Sequence, residues 1–226
     1  MKVVPGRLWL FDHLVPLLSE TYPGLVSKSD REHWDSRYVA DGIPPIGEHG
    51  PPPVFRPHEH LFPTEGEALE VACGAGRGAV WLATRGMSVW GVDVSPVAIE
   101  LASKLTTQAG VGDRCRFEVF DLDQGLPDGP PVDLLFCHKF RDPRLDQAMV
   151  ERLAPGGTLA IAVLSEVGAS AGPFRARPGE LVEVFGSLDV LADGEEDGMA
   201  WMVARRPVHG HGEGSNSALS SKVTSL

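Results

Sequence analysis

Three glycines at alternate positions, Gly74, Gly76 and Gly78, and an aspartate nineteen residues beyond the first of them, Asp93, are the residues whose types and spacing point most directly to chemistry. Glycines so placed let a backbone turn tightly and approach a ligand without interference from β-carbons. A carboxylate at that distance, at the tip of a second strand, can accept both hydroxyl hydrogens of a ribose. The chemistry implied is the holding of a nucleoside. Asp93 is the firmest candidate ligand, because an acid following an apolar strand is costly to bury without a partner.

The elements that position these residues follow from the local pattern. Ala68 to Ala72 is an apolar run that ends in the glycine turn, and Ala79-Val-Trp-Leu-Ala83 opens a helix. Ser88 to Val92 is a second apolar run that delivers Asp93. Helices are expected near 31–39, 78–85, 96–108, 143–153 and 178–185, with Ser95 capping the third and Pro96 at its first position. Strands are expected near 67–72, 88–92, 115–120, 132–137, 158–164, 188–191 and 199–205, the last two joined by a hairpin-like acidic turn over 192–198. Alternating strands and helices imply an α/β fold, Rossmann-like, with a seven-stranded mostly parallel sheet, helices on both faces and an antiparallel C-terminal hairpin strand.

Gly74-x-Gly76-x-x-Ala79 also satisfies the dinucleotide fingerprint, so the glycines alone leave the ligand open. The neighbours are more specific. Glu70-Val-Ala-Cys-Gly-Ala-Gly76 resembles the first motif of the class I S-adenosylmethionine-dependent methyltransferases, acid-x-Gly-x-Gly-x-Gly, with Ala72 standing where glycine is commonest. The resemblance extends over roughly residues 30–206 and includes the Ala154-Pro-Gly-Gly157 turn before an apolar strand. Trp34-Asp-Ser-Arg-Tyr38, ahead of the first strand, resembles a segment of the tellurite-resistance and thiopurine-methyltransferase-like branch.

That resemblance implies S-adenosylmethionine as the cofactor. It places Glu70, Ala72, Gly74 and Gly76 in the loop around its methionine end, Asp93 with Val94 at the ribose, Asp121 with Leu122 at the adenine, and Cys137 at the tip of the fourth strand. Asp121 is preferred to Asp123 because it directly follows the third strand. Glu70 either contacts ligand or braces the glycine loop. Trp34 and Tyr38, one helical turn apart, either pack over the cofactor, where an aromatic face favours a sulfonium, or anchor their helix to the sheet. His138, just after the fourth strand, is the catalytic candidate: a general base or substrate contact by its ordinary pKa, or else a partner of the loop or cofactor. Lys139 and Arg141 would hold an acidic substrate or the cofactor's carboxylate.

Composition bounds the partners. A net charge of −11, from 31 acidic and 20 basic residues, disfavours nucleic acid, and no metal-ligand spacing stands out. Three scattered cysteines, Cys73, Cys115 and Cys137, suit reduced thiols in a cytoplasmic protein. The apolar stretch over 8–18 is broken by Asp12, His13 and Pro16, so residues 1–29 read as an N-terminal extension rather than a signal or membrane segment. Residues 30–206 form the expected domain, with a Pro/Gly-rich loop or lid at 42–66, and 207–226, including His209 and His211, read as a disordered tail.

The fourth strand lacks the Asn/Asp-Pro-Pro-aromatic sequence of enzymes that methylate nucleobase amines, so a small-molecule acceptor is expected. The branch resemblance suggests a soft nucleophile, with oxygen and nitrogen acceptors open. A nicotinamide-dependent oxidoreductase would want a second α/β half, which is not visible. A non-catalytic S-adenosylmethionine-binding protein would retain Asp93 and Asp121 but lack a substrate cavity.

Overall fold

A computed structural model describes residues 23–45, 50–172 and 174–208. Most of the N-terminal extension and the tail beyond Val208, with His209 and His211, lie outside them.

Helix α1 (Pro23–Asp41) precedes a sheet of seven strands: β1 (Glu67–Val71), β2 (Ser88–Asp93), β3 (Cys115–Val119), β4 (Val132–His138), β5 (Leu153–Leu164), β6 (Asp189–Glu196) and β7 (Met199–Arg205). Helices α2 (Arg77–Arg85), α3 (Pro96–Gln108), α4 (Asp146–Arg152) and α5 (Glu180–Val184) connect them. The strand order is β3-β2-β1-β4-β5-β7-β6. Strands β1 to β5 pair in parallel, and β7 enters antiparallel between β5 and β6. The expected fold is the observed one.

Alternation along the central strands divides the core between two faces. Leu69, Val71, Leu135, Cys137, Leu159 and Ile161 pack on one face. Ala68, Leu134, Phe136, Ala160 and Ala162 pack on the other with Trp81 and Leu82 of α2. The chain begins at β1, moves outward through β2 and β3, then returns to β4 on the opposite side of β1. Such a reversal opens a crevice at the carboxyl ends of β1 and β4, the place where ligands bind in open α/β sheets.

Local chemistry explains the helix starts near this crevice. Ser95 caps α3 as its spacing foretold, Oγ accepting the Ala98 N–H at 3.0 Å, with Pro96 at the first position. Gly76 leads into α2 with φ 80°, in the left-handed region. A β-carbon at Gly76 would also press on the Ala102 backbone, 2.9 Å away, so glycine there permits α2 and α3 to approach closely.

Three expectations need correction. The 42–66 stretch is not simply loop: Pro53–Leu61 forms a 3₁₀ helix that carries Phe55 into the core, 0% exposed, and Phe62 follows at 4%. Phe55 meets Phe136 and Trp201, and Phe62 meets Trp81. This segment is a core element, since burying each ring contributes about 1.5–3 kcal/mol; proline density concealed it. Secondly, the acidic 192–198 turn shrinks to Asp197-Gly198, because Ala192 to Glu196 continue β6 and pair with β7. Thirdly, the 143–153 helix divides into a 3₁₀ turn, Pro143–Leu145, and α4, while Leu153 already pairs with Val132 as part of β5.

Candidate active site

The carboxyl ends of β1, β2 and β3 are stitched together by their backbones. Cys73 N–H donates to Val92 O and Phe120 N–H donates to Asp93 O, both at 2.9 Å. Into this frame the Asp93 side chain turns inward, only 6% exposed. Oδ2 accepts the Gly74 N–H and Oδ1 accepts the Ser95 N–H, each at 2.9 Å. The aspartate therefore ties the glycine loop to the start of α3. A carboxylate has about four accepting sites, so Asp93 keeps capacity for a ligand hydroxyl beyond these bonds. Burial pushes the Asp93 carboxyl above the usual range and the Asp35 carboxylate adds to this, while the backbone N–H groups oppose it.

Glu70 is placed where it can brace the glycine loop. Its carboxyl is buried beneath the loop, 5% exposed, and accepts the Ala79 N–H at the start of α2. Oε2 has no partner. Desolvation raises its pKa to about 8, with Asp93 adding to the shift and the Ala79 hydrogen bond opposing it, so Glu70 carries a proton at neutral pH.

Ala72 and Gly74 shape the loop. Gly74 has φ 52°, and Ala72 adopts φ 51° despite its β-carbon. The left-handed conformation costs a non-glycine residue roughly 1–2 kcal/mol, so the alanine in place of the usual glycine is a strained position.

Helix α1 lies across this loop. The Tyr38 hydroxyl stands 2.8 Å from where a β-carbon at Gly74 would be, so a side chain there would collide with it. Trp34 stacks on Tyr38 with centroids 6.0 Å apart, and the Arg37 guanidinium lies 5.4 Å from the Trp34 ring centre. Burial and the neighbouring Asp93 carboxylate push the Tyr38 phenol well above its ordinary pKa, keeping it a hydrogen-bond donor. Asp35, between the two aromatic residues, accepts a short hydrogen bond from Ser95 Oγ. Sequence reading assigned Asp35 no role; its only signal was its place inside the Trp34 to Tyr38 segment.

The remaining residues separate by how their side chains are spent. Asp121 is half-buried and uses Oδ1 to accept the Asp123 N–H at 3.0 Å, capping a short 3₁₀ turn. Asp123 is drawn to Arg144, 2.5 Å from it. Val94 is half-buried beside Asp93. Leu122 and Cys137 belong to the core: Leu122 is 7% exposed, and the Cys137 thiol is fully buried and directed at Phe140 O.

At the tip of β4, His138 is half-buried and follows Leu134 and Phe136 on the same strand face. Desolvation and the adjacent Lys139 lower its pKa to about 4, so the imidazole is neutral near pH 7 and a much weaker base than its residue type suggested. Lys139 is exposed and adopts φ 62°, held by its N–H to Ala162 O at 2.7 Å. Arg141 cannot hold a substrate: its guanidinium meets Asp146 at 2.5 Å and Glu180 at 2.8 Å with 4% of the side chain exposed. It locks the loop after β4 to α4 and α5. Cys73, Cys115 and Cys137 are free thiols.

Residues 68–157, from β1 to the glycine turn in β5, match the protein family described as "Methyltransferase domain". Methyltransferase GfsG of Streptomyces halstedii is 31% identical over 141 residues, which cover 59% of this chain and 51% of that protein. This chain thus spans about half the length of that relative. Among solved structures, TehB from Haemophilus influenzae superposes with a TM-score of 0.61 at 16% identity, covering 76% of this chain and 67% of that one. The [4+2]-cyclase SpnF also gives 0.61, at 17% identity, covering 81% and 97%. The structural likenesses establish the fold. The matched span, residues 68–157, includes the elements that carry the glycine loop, Asp93, Asp121 and His138. No helix among the described residues is long and apolar enough to cross a membrane.

Proposed function

We propose that this protein is an S-adenosylmethionine-dependent methyltransferase acting on a small-molecule acceptor. The observation that carries the reading is the buried Asp93 carboxylate, held at the end of the glycine loop by the Gly74 and Ser95 N–H groups with accepting capacity left over. That arrangement suits a vicinal ribose diol, and the positive-φ loop beside it suits close approach of an extended cofactor.

The cofactor supplies a methyl group already activated by a sulfonium, so the protein's task is alignment and exclusion of water. Asp93 fixes the ribose, Asp121 stands at the adenine side, and Gly74 and Gly76 admit the backbone. Tyr38 covers the loop with its hydroxyl over Gly74 and Trp34 stacks on Tyr38, an aromatic pair suited to a nearby sulfonium and to keeping water out. Glu70 is protonated and holds the loop from below.

His138 is neutral and weakly basic, so it orients the acceptor through a hydrogen bond, donating its ring N–H to an anionic one, rather than removing a proton from a weakly acidic one. Acceptors that already expose a lone pair or an anion near neutral pH, a thiolate or another soft nucleophile, fit such a site best. The exposed ammonium of Lys139 at the same strand tip favours a negatively charged acceptor. The branch with tellurite-resistance and thiopurine-methyltransferase-like enzymes rests on the Trp34 to Tyr38 segment.

Because the fold also serves a [4+2]-cyclase, the test must read methyl transfer itself. Incubation with methyl-labelled S-adenosylmethionine and panels of thiol, chalcogen, phenol and amine acceptors should transfer label with stoichiometric S-adenosylhomocysteine. Failure across all panels with intact cofactor binding would refute catalysis and leave a binding protein.

A further inference from the structure

We infer that Asp35 is a positioning residue whose bond to Ser95 latches helix α1 over the glycine loop and thereby governs entry and exit of the ligand bound there. The inference rests on the methyltransferase reading above, which it extends from what the site holds to how the site opens.

Three observations meet at this point. Asp35 lies on α1, sixty residues before Ser95, and its carboxylate accepts the Ser95 hydroxyl hydrogen. Ser95 is 0% exposed and already committed twice: its Oγ caps α3 at the Ala98 N–H, and its own N–H is held by Asp93. The hydroxyl therefore has a fixed position, and a bond from it fixes whatever it reaches. One turn along α1 from Asp35, Tyr38 places its hydroxyl over Gly74, whose N–H is held by the same Asp93 carboxylate. Latch and cover thus share one scaffold, with the Asp35–Ser95 bond on one side of Asp93 and the Tyr38–Gly74 contact on the other.

Between Arg31 and Asp41, α1 is poorly suited to hold itself down. Of its residues from Arg31 to Asp41, none is buried, and only Trp34, Asp35 and Tyr38 are half-buried. A helix with so little apolar burial opens at low cost, and a single charge-assisted hydrogen bond is then a large part of what resists opening. Breaking the Asp35–Ser95 bond would free α1, and with it the Tyr38 hydroxyl that stands over Gly74 beside Asp93.

The electrostatics allow a discriminating variant. Asp35 also raises the Asp93 pKa through its charge, so removing the carboxylate changes both the latch and the ribose ligand. Asp35→Asn removes the charge but keeps an oxygen able to accept the Ser95 hydroxyl. Asp35→Ala removes both.

The experiment combines dissociation of S-adenosylhomocysteine, followed by displacement in stopped flow, with amide hydrogen exchange of α1 in the ligand-free protein. Asp35→Ala is expected to speed dissociation about tenfold and to raise exchange across α1, whereas Asp35→Asn stays within about threefold of the wild type in both. In a Ser95→Ala background, Asp35→Ala should add no more than Asp35→Asn does, because the bond is already gone and only the charge effect on Asp93 remains. Equal effects of Asp35→Ala in both backgrounds, or α1 exchange unchanged by it, would overturn the latch. Raised exchange with an unchanged dissociation rate would overturn its gating role. A wild-type protein that binds no S-adenosylhomocysteine would instead refute the cofactor assignment, while the exchange arm still judges the latch.

Discussion

The carboxyl group of Glu70 occupies the space into which a side chain at Gly78 would have to grow, and the first residues of α2 close over it. The third glycine of the alternating set therefore serves a buried acid rather than a ligand. Its conformational cost at the helix start is offset by the packing it permits above Glu70.

This burial predicts a pH dependence. Glu70 has a native pKa of about 8 against an ordinary 4.5, so between those values the folded state holds a proton that the unfolded state has released. Stability from this group therefore falls as pH rises through that window. Glu70→Gln, which mimics the protonated form, should gain stability relative to wild type on going from pH 5 to pH 8.5, by on the order of a few kcal/mol. Urea denaturation at both pH values measures the difference. A constant gap between the two proteins would show that Glu70 is ionised in the native state.

Ala72 stores strain that glycine would release. Its φ of 51° costs roughly 1–2 kcal/mol, against about 0.4–1 kcal/mol for the extra freedom glycine brings to the unfolded chain. Ala72→Gly should therefore raise stability by up to about 1 kcal/mol in equilibrium unfolding. A clear loss of stability would mean that the alanine methyl, which packs at the margin of the core, contributes more than the strain removes.

These two positions show how far the sequence could be read. Alternating glycines, an acid at fixed spacing and a serine–proline helix start are local signals, and each lies where it was expected. The division of labour among the acids was not local. Whether Glu70 faces ligand or core depends on strand alternation against α2, and the ion pair that draws Asp123 away depends on Arg144, twenty-one residues beyond it. The 3₁₀ segment Pro53–Leu61 was hidden for a related reason: its prolines signalled loop, while Phe55 and Phe62 reach across to Phe136 and Trp81, far along the chain. Arg141 was similarly misjudged, since its partners Asp146 and Glu180 meet only in the fold.

For His138, the lowered pKa separates two roles. If the neutral imidazole orients the acceptor, kcat/KM should show no inflection near pH 6.5 attributable to this residue, because its transition lies near 4. His138→Ala should reduce turnover about five- to tenfold, the worth of one hydrogen bond, and leave cofactor affinity nearly unchanged. An inflection near 6.5 that disappears in the variant would contradict this assignment. Matching losses in turnover and cofactor affinity would place His138 against the cofactor.

The central claim is that Asp93 and the glycine loop bind an adenosyl cofactor, and calorimetric titration with S-adenosylmethionine, S-adenosylhomocysteine and NAD tests it most directly. The wild type should bind the first two and not the third, and Asp93→Ala should weaken that binding by about 1–3 kcal/mol through loss of charge-assisted hydrogen bonds to ribose. Binding of NAD alone, or adenosyl binding indifferent to Asp93→Ala, would contradict the account.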